Sequence, residues 1–279
     1  EGGSEDQRQR ILPATSEGNI LTLALVEGDG NYSAGSVTTK ATSEKNGAYA
    51  INGRKLFVPY AHVSDRILCA ARTNGGGAGE QGIGIFVVED AASPRIEKRV
   101  LSTIAGDKQC EVVFDGLVVN ADAVLGTPDN GWPTIKRTLQ FAAAAKCAEM
   151  VGASQQVLEM SVAYAKERVQ FDRPIGSFQA VQHHCANMLI DLDGMRYLTY
   201  EAAWLLSQGL PASREVAMAK AWASEAIGRI VRLGHQIHGG VGYTIDHDLQ
   251  LYYRRGKAAQ ALFGDAAFHR EELATQIGL

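Results

Sequence analysis

The sequence predicts a multidomain α+β protein: an antiparallel β-barrel or sandwich, followed by an antiparallel four-helix bundle. Three observations predict it. Short β-branched or alternating runs recur at regular spacing through the first half, with turn dipeptides between them. No helical pattern intervenes between those runs, which argues against a βαβ layout. After Gly131-Trp132-Pro133 the apolar residues change to a helical period.

In chain order, EGGSEDQRQRILPATSEGN (1–19) has no initiator Met and reads as the last turns of a polar helix, cut off from whatever it packed against. The chain is expected to be a fragment or a processed product. From Gly18 to Gly126, the pairs Asn46-Gly47, Asn52-Gly53 and Asp115-Gly116 separate the runs SVTTKAT, AYAI, KLFVPYA, RILCAAR, IGIFVVE and CEVVFDGLVV. In the second half Leu158, Val162, Ala165 and Val169 form one stripe, so a long first helix is expected to end near Phe171. Pro174 and Gly176 break the pattern, and Ser177 is the expected N-cap of a second helix whose apolar face runs from Phe178 to Leu206. A third starts after Pro211 with Ser213 as N-cap and stops at Gly239-Gly240; a fourth spans Asp246 to Thr275. Helices of this length on short connections bury themselves side by side.

With 279 residues, 46% of them hydrophobic, the chain can bury a full core. A net charge of −4 and the absence of any Lys/Arg run give no footprint for nucleic acid or an anionic membrane, so small molecules and other protein chains are the expected partners. Cys69, Cys110, Cys147 and Cys185 are far apart, form no metal-ligand spacing, and read as buried thiols in a reducing compartment. No metal site is expected. No apolar stretch reaches membrane-span length and no signal segment opens the chain, which predicts a cytoplasmic protein.

One formal motif is discarded. Gly77 to Gly82 matches the dinucleotide fingerprint G-x-G-x-x-G, but a strand-like run, IGIFVVE, follows where a helix N-terminus should hold the pyrophosphate. His183, His184, His235 and His238 fall on helices without an acid at ligand spacing and read as core or surface histidines. No G-x-S-x-G elbow supports a hydrolase. In RVQFDRPI (168–175), Arg168 and Phe171 are three apart on one expected helical face. A guanidinium beside a ring suits a phosphate-bearing aromatic cofactor. Equally, Arg168 suits a helix C-terminus and Phe171 a core closure.

The pattern Y-A-x-x-R-x-x-F-x-x-P-I-x-x-F-Q, met by Tyr164, Ala165, Arg168, Phe171, Pro174, Ile175, Phe178 and Gln179, resembles the acyl-CoA dehydrogenase family at this place in its helical domain. Gln236-Ile237-His238-Gly239-Gly240-Val241-Gly242-Tyr243 is similar to that family's Q-x-x-G-G-x-G-[YF] turn, and NGAYAINGRKLFV and EVVFDGLVVNADAVLG resemble segments of its middle β domain. The resemblance divides the chain into a remnant of an N-terminal helical domain (1–17), a middle β domain (18–126) and a C-terminal helical bundle (127–279).

What the resemblance implies is FAD as hydride acceptor, an acyl-CoA substrate, an electron-transfer flavoprotein or similar acceptor, and a glutamate that removes the α-proton of the thioester. Arg168, Phe171, Gln236, Gly239 and Gly240 would hold FAD. The glutamate's usual place falls on Phe263, in Leu262-Phe263-Gly264-Asp265; the family's other place, on the first long helix, falls on Ala142 in a stretch without acids, with Glu149 about two turns on. Asp265 is the one substitute nearby, turned about 100° from that place on a continuous helix. In the β half, the family's flavin-loop threonine is Val26 and its hairpin threonine is Pro59. In the family each flavin is held by two chains: the β domain and base act in cis, and the Arg/Phe pair and glycine turn reach in from a neighbour. The second set is kept here and the first is eroded. The first expectation is therefore a subunit that completes the FAD site of a homologous partner, in a hetero-oligomer of the kind some bacterial members form. The others are a self-sufficient homo-oligomeric dehydrogenase using Asp265 or a displaced acid, and a flavin-free structural homologue.

Overall fold

A computed structural model describes residues 2–73 and 79–279. The chain divides into two compact units, Glu1–Arg137 and Thr138–Leu279.

The first unit opens on helix α1 (Glu5–Ser16). Ser4 caps it and Gln7 returns the bond to the Ser4 N–H, so two otherwise orphaned donors are satisfied. Gln7 also donates through Nε2 to the carbonyls of Asp122 and Val124, which ties the helix down. Seven strands follow: β1 (Leu21–Ala24), β2 (Lys40–Ser43), β3 (Tyr49–Pro59), β4 (Arg66–Thr73), β5 (Ile83–Val88), β6 (Ile96–Leu101) and β7 (Gln109–Val119). They form one sheet in the order β1-β4-β2-β3-β7-β6, with β5 on the free side of β4. β4 runs parallel to both β1 and β2, so the sheet is mixed rather than wholly antiparallel.

Two of the three expected turns are not turns. The chain passes through Asn52-Gly53 inside β3 and through Asp115-Gly116 inside β7, where Asn52 faces two residues across a bulge and accepts the Gly116 N–H at 2.8 Å. Gly53 is needed there because a Cβ would stand 2.5 Å from the Thr39 hydroxyl. Asn46-Gly47 alone reverses the chain, both residues at positive φ, and hands β2 to β3. The expected run SVTTKAT enters the sheet only from Lys40. β6, which carries Glu97, Lys98 and Arg99, has no fully buried residue and lies at the end of the sheet order, and an edge strand gains from such charges. Of the G-x-G-x-x-G decoy, Gly77 and Ala78 lie outside the described residues, and Gly82 leads directly into β5.

Beneath the sheet lies a buried ion pair. The Lys55 ammonium is fully buried, 2.6 Å from Glu27 Oε1 and 3.1 Å from the Leu25 carbonyl. The Glu27 carboxylate also accepts the N–H groups of Thr38 and Thr39, both at 3.0 Å, and the Thr38 hydroxyl. Burial alone would raise the Glu27 pKa; the Lys55 charge and these donors outweigh it and hold the carboxyl below its ordinary value.

The second unit consists of α2 (Trp132–Glu167) from Thr138 onward, a two-stranded hairpin of β8 (Val169–Gln170) and β9 (Arg173–Pro174), and helices α3 (Gln179–Ser207), α4 (Ser213–His238), α5 (Leu249–Ala261) and α6 (Ala266–Gln276). α4 is the buried hub and packs against α3, α5 and α6. Small residues along it, from Ala217 to Ala226, let its neighbours approach closely around Met150, Met188, Leu192 and Met195. The expected caps are displaced. Ser177 lies in a short turn and donates to the Pro174 carbonyl, and Ser213 is already helical and accepts a bond from Gln140. The expected fourth helix is broken in two at Leu262–Asp265, where Phe263 and Gly264 have φ of 60° and 92°.

Cys69, Cys110 and Cys147 are buried, Cys185 is half-buried, and all four are free. Among the described residues no His/Cys/Asp/Glu group could hold a metal, and no helix is long and apolar enough to cross a membrane.

Candidate functional site

α2 ends at Glu167, four residues earlier than its apolar stripe suggests, so Arg168 and Phe171 do not share a helical face. Val169 leaves the stripe and is exposed. The chain instead makes a tight hairpin. Phe171 and Asp172, at φ of 54° and 62°, are its two central residues, the signature of a type I′ turn. Arg168 anchors its base: its N–H donates to the Tyr164 carbonyl and its carbonyl accepts the Ile175 N–H, both at 2.8 Å.

Phe171 does not close the core. It is 85% exposed, and its ring meets the edge of Phe178 at 6.1 Å, with the Arg173 guanidinium 4.1 Å over the Phe178 face. Arg168 is exposed and makes no side-chain ion pair or hydrogen bond among the described residues. The core-closing reading of Phe171 fails on this geometry, whereas Arg168, directly after the last residue of α2, still stands where the helix dipole favours a cation.

The glycine turn lies at the same end of the bundle. α4 stops because Gly239 takes φ 62° and ψ −142°, and Gly239–Tyr243 forms one short turn. A Cβ at Gly239 or Gly240 would meet nothing within 4 Å, so the backbone there is open to an approaching group. Gln236 is exposed on the last turn of α4. Tyr164, one turn before Arg168, stacks on His238, next to Gly239, with ring centroids 4.6 Å apart. That contact brings the two sequence motifs together. His235 and His238 are buried in the core, as expected of them.

Phe263 and Asp265 lie elsewhere. The Asp265 carboxylate accepts the Phe268 N–H at 2.8 Å and caps α6, so it is not the helical neighbour, turned about 100°, that a continuous helix would give. Phe263 packs its ring against the helical core. Lys220 of α4, fully buried, donates to the carbonyls of Gly264 at 2.6 Å and Gln260 at 3.2 Å and to the Ser224 hydroxyl at 2.8 Å, which pins the break. Burial pushes its pKa down to about 8. Lys220 and His238 are 18 residues apart on α4, about 27 Å at the helical rise, so the two loci sit at opposite ends of the helix.

His269 braces the break from the other side, donating from Nε2 to the Phe263 carbonyl at 2.9 Å, and burial pushes its pKa down to about 4. In the fold the ring stays neutral while the unfolded chain takes a proton below about 6.5. Its contribution to stability is therefore complete above about pH 6.5 and is lost as pH falls towards 4, by about 3 kcal/mol. Urea unfolding at pH 7 and pH 4.5 should show a smaller acid loss for His269→Gln than for the unaltered chain; equal losses would refute the assignment.

Sequence reasoning did not single out Lys220, His269 or the Glu27–Lys55 pair. For Lys220 there was a signal: it falls on the apolar stripe of VAMAKAWAS, four residues after Val216 and four before Ser224.

The residues of the second unit fit FAD: a free guanidinium, a displayed ring and an open glycine backbone converge at one end of the bundle. In the first unit Val26 is buried and offers no hydroxyl, and Pro59, without an N–H, uses its carbonyl to accept the Thr22 hydroxyl at 2.6 Å. Phe57 and Tyr60, at φ of 54° and 52°, remain exposed beside it.

Comparison with known proteins agrees with this layout. Residues 22–117 match the acyl-CoA dehydrogenase middle domain and residues 129–278 the acyl-CoA dehydrogenase C-terminal domain. The chain is 34% identical over 257 residues to the 3-(aryl)acrylate reductase of Clostridium sporogenes, spanning 90% of this chain and 67% of that protein. Butyryl-CoA dehydrogenase of Megasphaera elsdenii superposes with a TM-score of 0.91 at 26% identity, covering 98% of this chain and 72% of the other. The ChsE4-ChsE5 complex of Mycobacterium tuberculosis gives 0.86 at 29% identity, covering 99% and 71%. With both halves of the fold matched in this way, the chain belongs to the acyl-CoA dehydrogenase family of FAD-dependent oxidoreductases.

Proposed function

We propose that this chain is a subunit of an acyl-CoA dehydrogenase that completes the FAD site of a homologous partner and supplies no catalytic carboxylate of its own. The observation that carries the proposal is the hairpin at 168–174: a free Arg168 and an 85% exposed Phe171 are held rigidly outward, away from their own core. A ring of that size left in water on a strained turn is accounted for by a ligand or chain that covers it. The break at Leu262–Asp265 supports the second half of the reading, since the one acid there is engaged in capping α6. The similar ChsE4-ChsE5 structure is of a complex, which is in keeping with a two-protein enzyme.

Bound FAD would supply the hydride acceptor for α,β-dehydrogenation of an acyl-CoA thioester. Arg168 would pair with its pyrophosphate, Phe171 would pack on a ring, and Gln236 with the Gly239-Gly240 backbone would donate to it. A glutamate of the partner would take the α-proton, and an electron-transfer flavoprotein or similar acceptor would take the electrons.

The test is turnover of an acyl-CoA with an artificial electron acceptor, by this chain alone and with a homologous dehydrogenase subunit. Activity is expected only with the partner, and Asp265→Asn is expected to leave it unchanged within about twofold. Turnover by the chain alone, abolished by Asp265→Asn, would establish the self-sufficient reading instead.

A further inference from the structure

The end of α4 is organised by three imidazoles. His238, its last residue, stacks on Tyr164 of α2 and meets His247 edge-on at 5.0 Å. One turn earlier, His235 meets Tyr243 at 4.7 Å and Tyr253 of α5 at 5.1 Å. In both buried histidines Nδ1 lies 2.8 Å from the carbonyl four residues before, Val231 for His235 and Gly234 for His238. Nδ1 therefore carries the proton and donates, and Nε2 of the neutral ring keeps a lone pair. His247 accepts the Leu249 N–H at 3.1 Å through Nδ1. The turn Gly239–Tyr243 is thus gripped at both ends: Tyr243 by His235, and Gly239 through His238, which also reaches Tyr164 on the helix that leads into Arg168.

We propose that His238 is a positioning residue of the cofactor clamp, which holds the Gly239–Tyr243 turn to the end of α2 that leads into the Arg168 hairpin only while its imidazole is neutral. This rests on reading that end of the bundle as the flavin clamp. The groups around the ring are Tyr164 from α2, His235 from α4 and His247 from the segment after it; Tyr243 and Tyr253 of α5 close on His235 behind. Among the described residues no carboxylate pairs with either ring, and Asp246 and Asp248, beside His247, are exposed. A proton on His238 would be buried without a counter-ion beside two further imidazoles, and repulsion would part the stack. Burial foremost, and His247 and His235 after it, hold its pKa below the usual value against the pull of the Gly234 carbonyl.

The experiment compares the flavin-loaded protein, His238→Phe and His238→Ala from pH 8 to 5. Flavin retained through gel filtration is measured together with backbone amide exchange of residues 239–247 in the flavin-stripped protein. The unaltered protein should lose flavin and amide protection together as the pH falls from 8 to 5. His238→Phe keeps the stack without the proton and should retain both down to pH 5. His238→Ala, without the stack, should hold flavin about tenfold more weakly at every pH. The proposal is overturned if His238→Ala matches the unaltered protein in both readouts, or if His238→Phe is as acid-labile as it is. Amide exchange keeps the two readings apart: an assembly with the homologous partner that never retains flavin defeats the clamp, while the exchange profiles still decide what His238 does.

Discussion

Arg168→Ala should strip FAD from the assembly while leaving the fold intact. Its exposed side chain makes no hydrogen bond or ion pair in its own chain among the described residues, so truncation removes no polar contact, and the hairpin is held by Arg168 backbone bonds that alanine keeps. A charge-assisted bond from guanidinium to pyrophosphate contributes about 1.5–3 kcal/mol, which corresponds to a loss of about 10- to 100-fold in affinity. Arg168→Lys, a point charge without the planar fork, should recover part of it. The check is visible flavin absorbance per mole of protein alongside far-ultraviolet circular dichroism. Unchanged flavin content in Arg168→Ala would remove the clamp from the proposed function.

Glu27→Ala should be the most damaging change for stability. It leaves the Lys55 ammonium fully buried with one carbonyl for company, and it orphans the Thr38 and Thr39 N–H groups. Removing one member of a buried pair typically costs about 3–5 kcal/mol. The double change Glu27→Leu with Lys55→Met removes both charges and should return most of that, since well-packed apolar residues replace buried ion pairs at little cost. Urea unfolding of the three proteins measures this, and a double variant no more stable than Glu27→Ala would show that the carboxylate acts chiefly through the threonine amides.

The bundle was legible because a buried stripe at helical spacing can be counted, and the break after Gly239 because glycine there has no substitute. Its finer punctuation was not legible. Val169 continues the arithmetic of the stripe, yet a β-branched residue at a helix end is free to leave it, and the type I′ turn hides behind Phe171-Asp172, neither of which is glycine. Asn52-Gly53 and Asp115-Gly116 read as turns because the residues that permit a bulge also permit a reversal. Arg168, Phe171 and Gly239 could be nominated from the sequence; their meeting could not, because it depends on Tyr164 finding His238 across the bundle. The parallel pairing of β4 with β1 and β2 is decided by crossovers, which leave no local mark on any strand.

α4 also acts as a ruler, with the Lys220-pinned break near one end and the Gly239 turn at the other. On the proposed reading, the break and the clamp of one chain serve different flavins, and each working centre would draw on two polypeptides. Paired with a partner that has the carboxylate and a weak clamp, this chain would give one competent centre and one barren one per pair. Paired with itself it would give two barren ones. Flavin occupancy would then count partnerships rather than subunits, and the yield of enzyme in a cell making both chains unequally would follow the scarcer of the two.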